Sequence, residues 1–86
     1  MILRILLAGK VKFMRLRDMK PGERGVISGV EHARGMQRLL DLGFFPGVKV
    51  LVVRNAPFKD PMECNLDGRR VSVRRQEVEG VEVRPE

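Results

Sequence analysis

Nucleophilic catalysis is the first chemistry to look for in this chain, and the raw material for it is thin. The sequence holds Ser28, Ser72, one cysteine (Cys64) and one histidine (His32), with no threonine and no tyrosine. A serine or cysteine nucleophile needs a base within hydrogen-bond reach, and that base needs a third group to orient it. A lone histidine would have to serve every such arrangement. Cys64 alternates in step with Met62 and Leu66, so it is expected to be a small core hydrophobe rather than a reactive thiol.

Metal and phosphate chemistry fare no better. Zinc and iron sites are assembled from Cys, His and carboxylates at tight spacings, and the chain has no CxxC and no second histidine. Glu31 with His32, and Asp60 with Glu63, are half-sites only, so no metal site and no cofactor is expected. Gly22, Gly25 and Gly29 do not reproduce the GxxxxGK[ST] phosphate loop, and no helix follows them. With no workable constellation, the chain is expected to be a binding module and not an enzyme.

What it binds is constrained by charge. The net charge is +6, concentrated in two stretches: Lys10 to Arg24, and Arg69, Arg70, Arg74 and Arg75. Asp18 and Glu23 dilute the first, and Glu77 and Glu79 follow the second. A solvated basic face, an acidic partner or anionic membrane surface, and nucleic acid all fit this pattern. Nucleic acid is the least favoured, since aromatic platforms beside a basic groove are scarce. The aromatic residues are Phe13, Phe44, Phe45 and Phe58. Phe44 and Phe45 directly follow an amphipathic segment, where at least one of them should be core.

The elements that would position these residues are short. Pro21-Gly22 and Pro46-Gly47 have the order of a type II turn, in which proline presets φ and glycine accepts a positive one. Asp67-Gly68 between two alternating segments signals a two-residue hairpin. Strands are expected at Arg24–Glu31, Val48–Val53, Met62–Leu66, Val71–Arg74 and Val81–Arg84. The nearly continuous apolar run of the second suggests a central strand covered on both sides. Met36, Leu39 and Leu40 fall at helical spacing, with Gln37, Arg38 and Asp41 facing water, so Met36–Leu42 reads as the one helix. Gly43 follows where a left-handed residue would end it. Gln76–Glu79 would make a short helical turn. The sum is a mainly β chain: a small five-stranded barrel, closed to remove its edges, with one inserted helix.

Residues 1–13 fit this scheme poorly and are read as an apolar and basic extension ahead of a domain spanning 14–86. Ile2, Leu3, Ile5, Leu6, Leu7, Ala8 and Val11 would be costly to leave in water, so a docked strand or helix, or contact with a second copy, is expected there. The stretch falls far short of the ~20 apolar residues of a membrane span. The lone cysteine fits a reducing compartment, and the chain is read as cytoplasmic.

Four stretches together resemble one known family. They are Leu16-Arg-Asp-Met-Lys-Pro21-Gly22-Glu-Arg-Gly25-Val-Ile27, the helix-to-turn run Arg38 to Val50 with its Leu42-Gly43-Phe44-Phe45-Pro46-Gly47, the loop Ala56 to Pro61, and Val71 to Val83. The pattern is similar to that of FeoA proteins, small accessory proteins of ferrous iron uptake, and the helix-to-turn run is the most distinctive part. The resemblance implies an SH3-like barrel with a helix inserted after the first strand. It also implies a partner, a FeoB-type ferrous iron transporter, contacted from the inner face of the membrane. Lys59 stands where glycine is common in such proteins, Val78 replaces a usual alanine, and the extension lies outside the pattern. The residues expected to meet the partner are Arg38, Phe44, Pro57, Phe58 and Lys59, because exposed aromatic and arginine side chains are the usual anchors of interfaces. Two alternatives stand beside this reading. One is a small basic barrel that binds nucleic acid. The other is a metal-responsive domain related to the C-terminal domain of iron-dependent repressors.

Overall fold

Short alternating segments punctuated by glycine turns build six antiparallel strands in the computed structural model, which describes residues 13–31, 35–55, 57 and 60–86. In chain order they are β1 (Met14–Arg15), β2 (Arg24–Val30), β3 (Lys49–Asn55), β4 (Met62–Leu66), β5 (Arg69–Val73) and β6 (Val81–Arg84). One α-helix, α1 (Met36–Leu42), lies between β2 and β3, and a 3-10 turn (Leu16–Asp18) follows β1. Five of the six strands lie on the expected segments, and β5 begins two residues before Val71. The sixth, β1, pairs Met14 with Val83 and Arg15 with Glu82. Two residues carry no periodicity, so nothing in the sequence marks this strand.

The turns behave as their residues require. Gly22 and Gly47 have φ of +93° and +96°, and each Pro-Gly turn is closed by a hydrogen bond: Glu23 N–H to Lys20 O at 3.0 Å and Val48 N–H to Phe45 O at 3.1 Å. Asp67 (φ +51°) and Gly68 (φ +95°) join β4 to β5 with two left-handed residues, the type I′ pattern that matches strand twist. Residues 75–80 form consecutive turns rather than a regular helix, with Glu77 N–H donating to Arg74 O at 2.9 Å.

The helix end shows most plainly how local sequence fixes packing. Gly43 N–H donates to Leu40 O at 3.0 Å and Phe44 N–H to Leu39 O at 3.0 Å. This is the Schellman arrangement, which turns the residue after the glycine back over the helix. Phe44 and Leu39 are accordingly both enclosed in the core. Gly43 has φ +106°, and the Arg69 guanidinium sits where a Cβ on Gly43 would go. A side chain at this position would meet both left-handed strain and that arginine.

Side chains from five strands, together with Leu16, Met19, Leu39, Phe44 and Val78, meet in one apolar cluster. The sheet that supplies them must therefore curl, and the register shifts at Ile27/Gly29 and Val52/Arg54 are bulges of the kind that bend strands. Two expectations are corrected. β3 is central in the order β1-β6-β2-β3-β4-β5, but only its Val50 and Val52 face is fully buried, while Leu51 and Val53 are half-buried. Among the described residues the ladder also does not close. β1 and β5 are its two ends, because a sheet this strongly curled is brought round by bulges and the 75–80 turns instead of a last strand pairing.

Candidate partner-binding site

Of the hydroxyl and thiol groups weighed for chemistry, Cys64 is hidden and Ser28 is hydrogen-bonded at the surface. Cys64 is fully buried in β4, and that burial pushes its thiol up to about 11, with Arg75 opposing the shift. Burial and a raised pKa keep this thiol neutral and shielded from solvent at neutral pH, as expected of a core cysteine. Ser28 Oγ donates to Glu82 O at 3.1 Å and approaches Glu82 Oε1 at 3.3 Å at the surface. Ser72 is exposed on β5.

Of the two half-sites considered for metal, Asp60 with Glu63 is engaged in other bonds. Asp60 Oδ1 accepts the Arg75 N–H at 2.9 Å. Glu63 takes Arg54 Nε at 2.9 Å on one oxygen and lies 3.5 Å from Arg70 on the other. Glu31 is exposed, and its neighbour His32 lies outside the described residues. Among the described residues no three Asp, Glu, Cys or His side chains gather as a metal cluster.

The polar chemistry collects instead where the 75–80 turns meet the helix and the 3-10 turn. Glu77 joins two elements with one carboxylate. Its Oε1 accepts the Arg74 N–H at 2.9 Å, and its Oε2 accepts Arg38 Nε of α1 at 2.7 Å. These bonds hold its carboxyl below the ordinary glutamate value. The Arg74 N–H is the main cause, Arg38 adds to it, and partial burial opposes. Glu79 Oε2 accepts Arg17 at 2.9 Å, and its carbonyl accepts Arg15 at 3.1 Å. Arg75 donates to the Arg17 carbonyl. Two hollows flank this lattice. One, of about 620 Å³, is lined by Arg17, Arg38, Leu39, Arg75, Glu77 and Glu79 among others. The other, of about 240 Å³, is lined by Arg38, Pro61, Ser72, Val73, Arg74 and Glu77.

The five residues expected to meet a partner fare differently. Arg38 is exposed and shares the smaller hollow with Pro61, so the helix and the end of the proline loop do converge. Pro57 is exposed. Phe58 and Lys59 lie outside the described residues, as does the extension through residue 12. Phe44 is corrected: its exposure is 0%, because the Schellman turn folds it onto Leu39, and it cannot be a surface anchor. Its neighbour Phe45 is 47% exposed and Phe13 is 54% exposed, which leaves the core role to the first of the paired phenylalanines. The rule that the residue after a terminal glycine packs back on the helix would have told the two apart from sequence.

The sequence reading also missed the arginine–carboxylate lattice, since Arg38 and Glu77 stand 39 positions apart and no periodicity links them. Much of the positive charge that suggested nucleic acid is used inside the molecule. Arg24 and Lys49 both approach Glu86, at 3.6 and 3.5 Å, alongside the pairs already given. No described helix is long and apolar enough to cross a membrane.

Comparison with known proteins agrees with this architecture. The family model for the FeoA domain matches residues 14–85. An Fe(2+) transport protein A/Fe(2+) transporter FeoB fusion protein of Porphyromonas gingivalis is 38% identical over 72 residues, covering 81% of this chain and only 8% of the fusion protein. The solution structure of a FeoA protein from Chlorobium tepidum superposes with a TM-score of 0.74 at 38% identity, over 84% of this chain and 70% of that one. The crystal structure of Stenotrophomonas maltophilia FeoA, an SH3 domain protein complexed with zinc, gives 0.69 at 28% identity, over 81% and 88%. With a mainly β, SH3-like fold and a family match across nearly its whole length, this chain belongs to the FeoA family.

Proposed function

We propose that this chain is a non-enzymatic accessory protein of ferrous iron uptake that works by binding a FeoB-type transporter on its cytoplasmic side. The observation that carries the reading is the Porphyromonas gingivalis fusion, in which a segment 38% identical to this chain is part of one polypeptide with a FeoB transporter. Covalent linkage gives two modules a high effective concentration for each other, which is useful when they must meet. A separate chain would have to achieve the same meeting through its surface. The candidate surface is Arg38 with the proline loop, namely Pro57, Phe58 and Lys59, and Phe44 is excluded from it by burial.

Immobilised FeoB-type transporter in lipid nanodiscs, titrated with the full chain, tests this reading. Saturable binding that weakens in the folded variants Arg38→Ala and Phe58→Ala is the expected result. Absence of binding at low salt, with or without guanine nucleotide, would reject the role.

A further inference from the structure

Among the described residues the end of the sheet at β5 is open, and its chemistry points to a specific kind of occupant. Leu66 and Arg69 are paired across the two-residue Asp67-Gly68 turn, so they form the hydrogen-bonded pair that closes the hairpin. From there hydrogen-bonded and non-hydrogen-bonded pairs alternate. Arg69, Val71 and Val73 therefore direct their N–H and C=O groups to β4. Arg70 and Ser72 direct theirs outward, away from the sheet. No described residue pairs with those outward groups, since β5 has β4 as its sole neighbour in the ladder and no other backbone bond reaches it.

An unpaired edge is a template for another strand, and native chains commonly guard it with charge. Here the guard is entirely basic along the edge itself. Arg69, Arg70 and Arg74 are all exposed. Among the described residues Arg74 makes no salt bridge at its guanidinium, its charge acting on the Glu77 carboxylate from a distance, Arg69 donates to the Leu42 carbonyl, and Arg70 has one contact of 3.5 Å with Glu63. Pairing β5 with β5 of a second copy would bring like charges face to face, which is destabilising. The same charge favours an acidic strand.

We infer that the β5 edge receives an extended acidic segment of a partner protein, which adds to the sheet as a seventh strand. Arg70 and Ser72 alternate onto one face, and Arg74 lines the same hollow as Ser72. Arg70 and Arg74 are four positions apart, about 13 Å along a strand. The segment recognised therefore carries carboxylates at i and i+4, with a small residue opposite Ser72. Backbone bonds would supply affinity and the two carboxylates selectivity, as in other strand-addition interfaces. The inference deepens the reading of this chain as a docking module and rests on it, while naming a site that the transporter experiment above does not test.

The test uses the full chain and the capped heptapeptide Val-Glu-Val-Ser-Val-Glu-Val, with a control in which both glutamates are lysines. Amide hydrogen exchange reads the geometry directly. In the free protein the Arg70 and Ser72 amides should exchange fast, while Val71 and Val73 are protected. Saturating acidic peptide should slow Arg70 and Ser72 by about tenfold or more, and the lysine peptide should bind at least about tenfold more weakly. Ser72→Pro removes only an outward N–H, a change that edge strands tolerate, and it should abolish the added protection at Arg70. Arg74→Glu should weaken the acidic peptide about tenfold and needs no change in the strand.

Three results of the peptide experiment would overturn the proposal: no binding at millimolar peptide, equal affinity for both peptides, or Arg70 and Ser72 already protected in the free chain. Peptide binding without transporter binding would reject the transporter role and keep the edge site. Transporter binding undiminished in Ser72→Pro and Arg74→Glu would do the reverse.

Discussion

Two corners of this barrel do the same mechanical job by opposite means. At the corner from α1 to β3, residues 43–48, the chain turns on two glycines and drives Phe44 into the core beneath Leu39. At the corner from β5 to β6, residues 74–80, only Val78 is buried, and the turn is held by carboxylates: Glu77 on Arg74 and Arg38, Asp60 on Arg75, Glu79 on Arg17. The first corner is a packing device, indifferent to salt and pH. The second is an electrostatic device, and electrostatic contacts between exposed groups are weak, screened and readily exchanged for a partner's. A corner built this way keeps its polar groups at the surface, while the packed corner hides its ring in the core.

The largest effect should come from the packed corner. Phe44→Ala empties a fully enclosed aromatic site and should cost about 3–5 kcal/mol, against about 1 kcal/mol or less for Phe45→Ala at the exposed neighbour. Urea denaturation of the two variants checks the assignment, and similar losses would mean that both rings share the burial. Gly43→Val comes next. Left-handed strain of about 1–2 kcal/mol is joined by loss of the Arg69 bond to the Leu42 carbonyl, worth about 1 kcal/mol. A change of only a few tenths would place the helix end elsewhere.

The sequence made the first corner largely legible and the second hardly at all. Helix length, the left-handed role of Gly43 and both Pro-Gly turns follow from local rules acting within four or five residues. The inward placement of Cys64 follows from alternation with Met62 and Leu66. What stayed hidden depends on distant residues meeting. Arg38 reaches Glu77 only because the barrel brings α1 over the 75–80 turns. That β5 ends the ladder among the described residues is a property of the whole topology, which no short window of sequence carries. Between two adjacent phenylalanines, composition is silent, and capping geometry decides.

A smaller effect is expected at the electrostatic corner, and it carries a pH signature. Glu77 is exposed enough for solvent to screen it, so Glu77→Gln should cost about 1 kcal/mol or less at neutral pH. Its carboxyl is held below the ordinary value in the folded chain. The stability it contributes is therefore present above the unfolded value, about pH 4.3, and is lost as pH falls through the lower folded value. The gap between parent and variant should close on acidification below about pH 4.3. A gap that widened toward acid would contradict the assigned bonds to Arg74 and Arg38.

The central claim is that this FeoA chain acts by binding a ferrous iron transporter through its arginine-bearing side, and the affinity of the full chain for purified FeoB-type transporter across a salt series tests it most directly. The account predicts saturable binding that weakens as salt rises, falls about tenfold in Arg74→Glu and is nearly unchanged in Phe45→Ala. Binding that ignores salt and Arg74→Glu but is lost in Phe45→Ala would move the interface to the packed corner. No binding at any salt would contradict the claim outright.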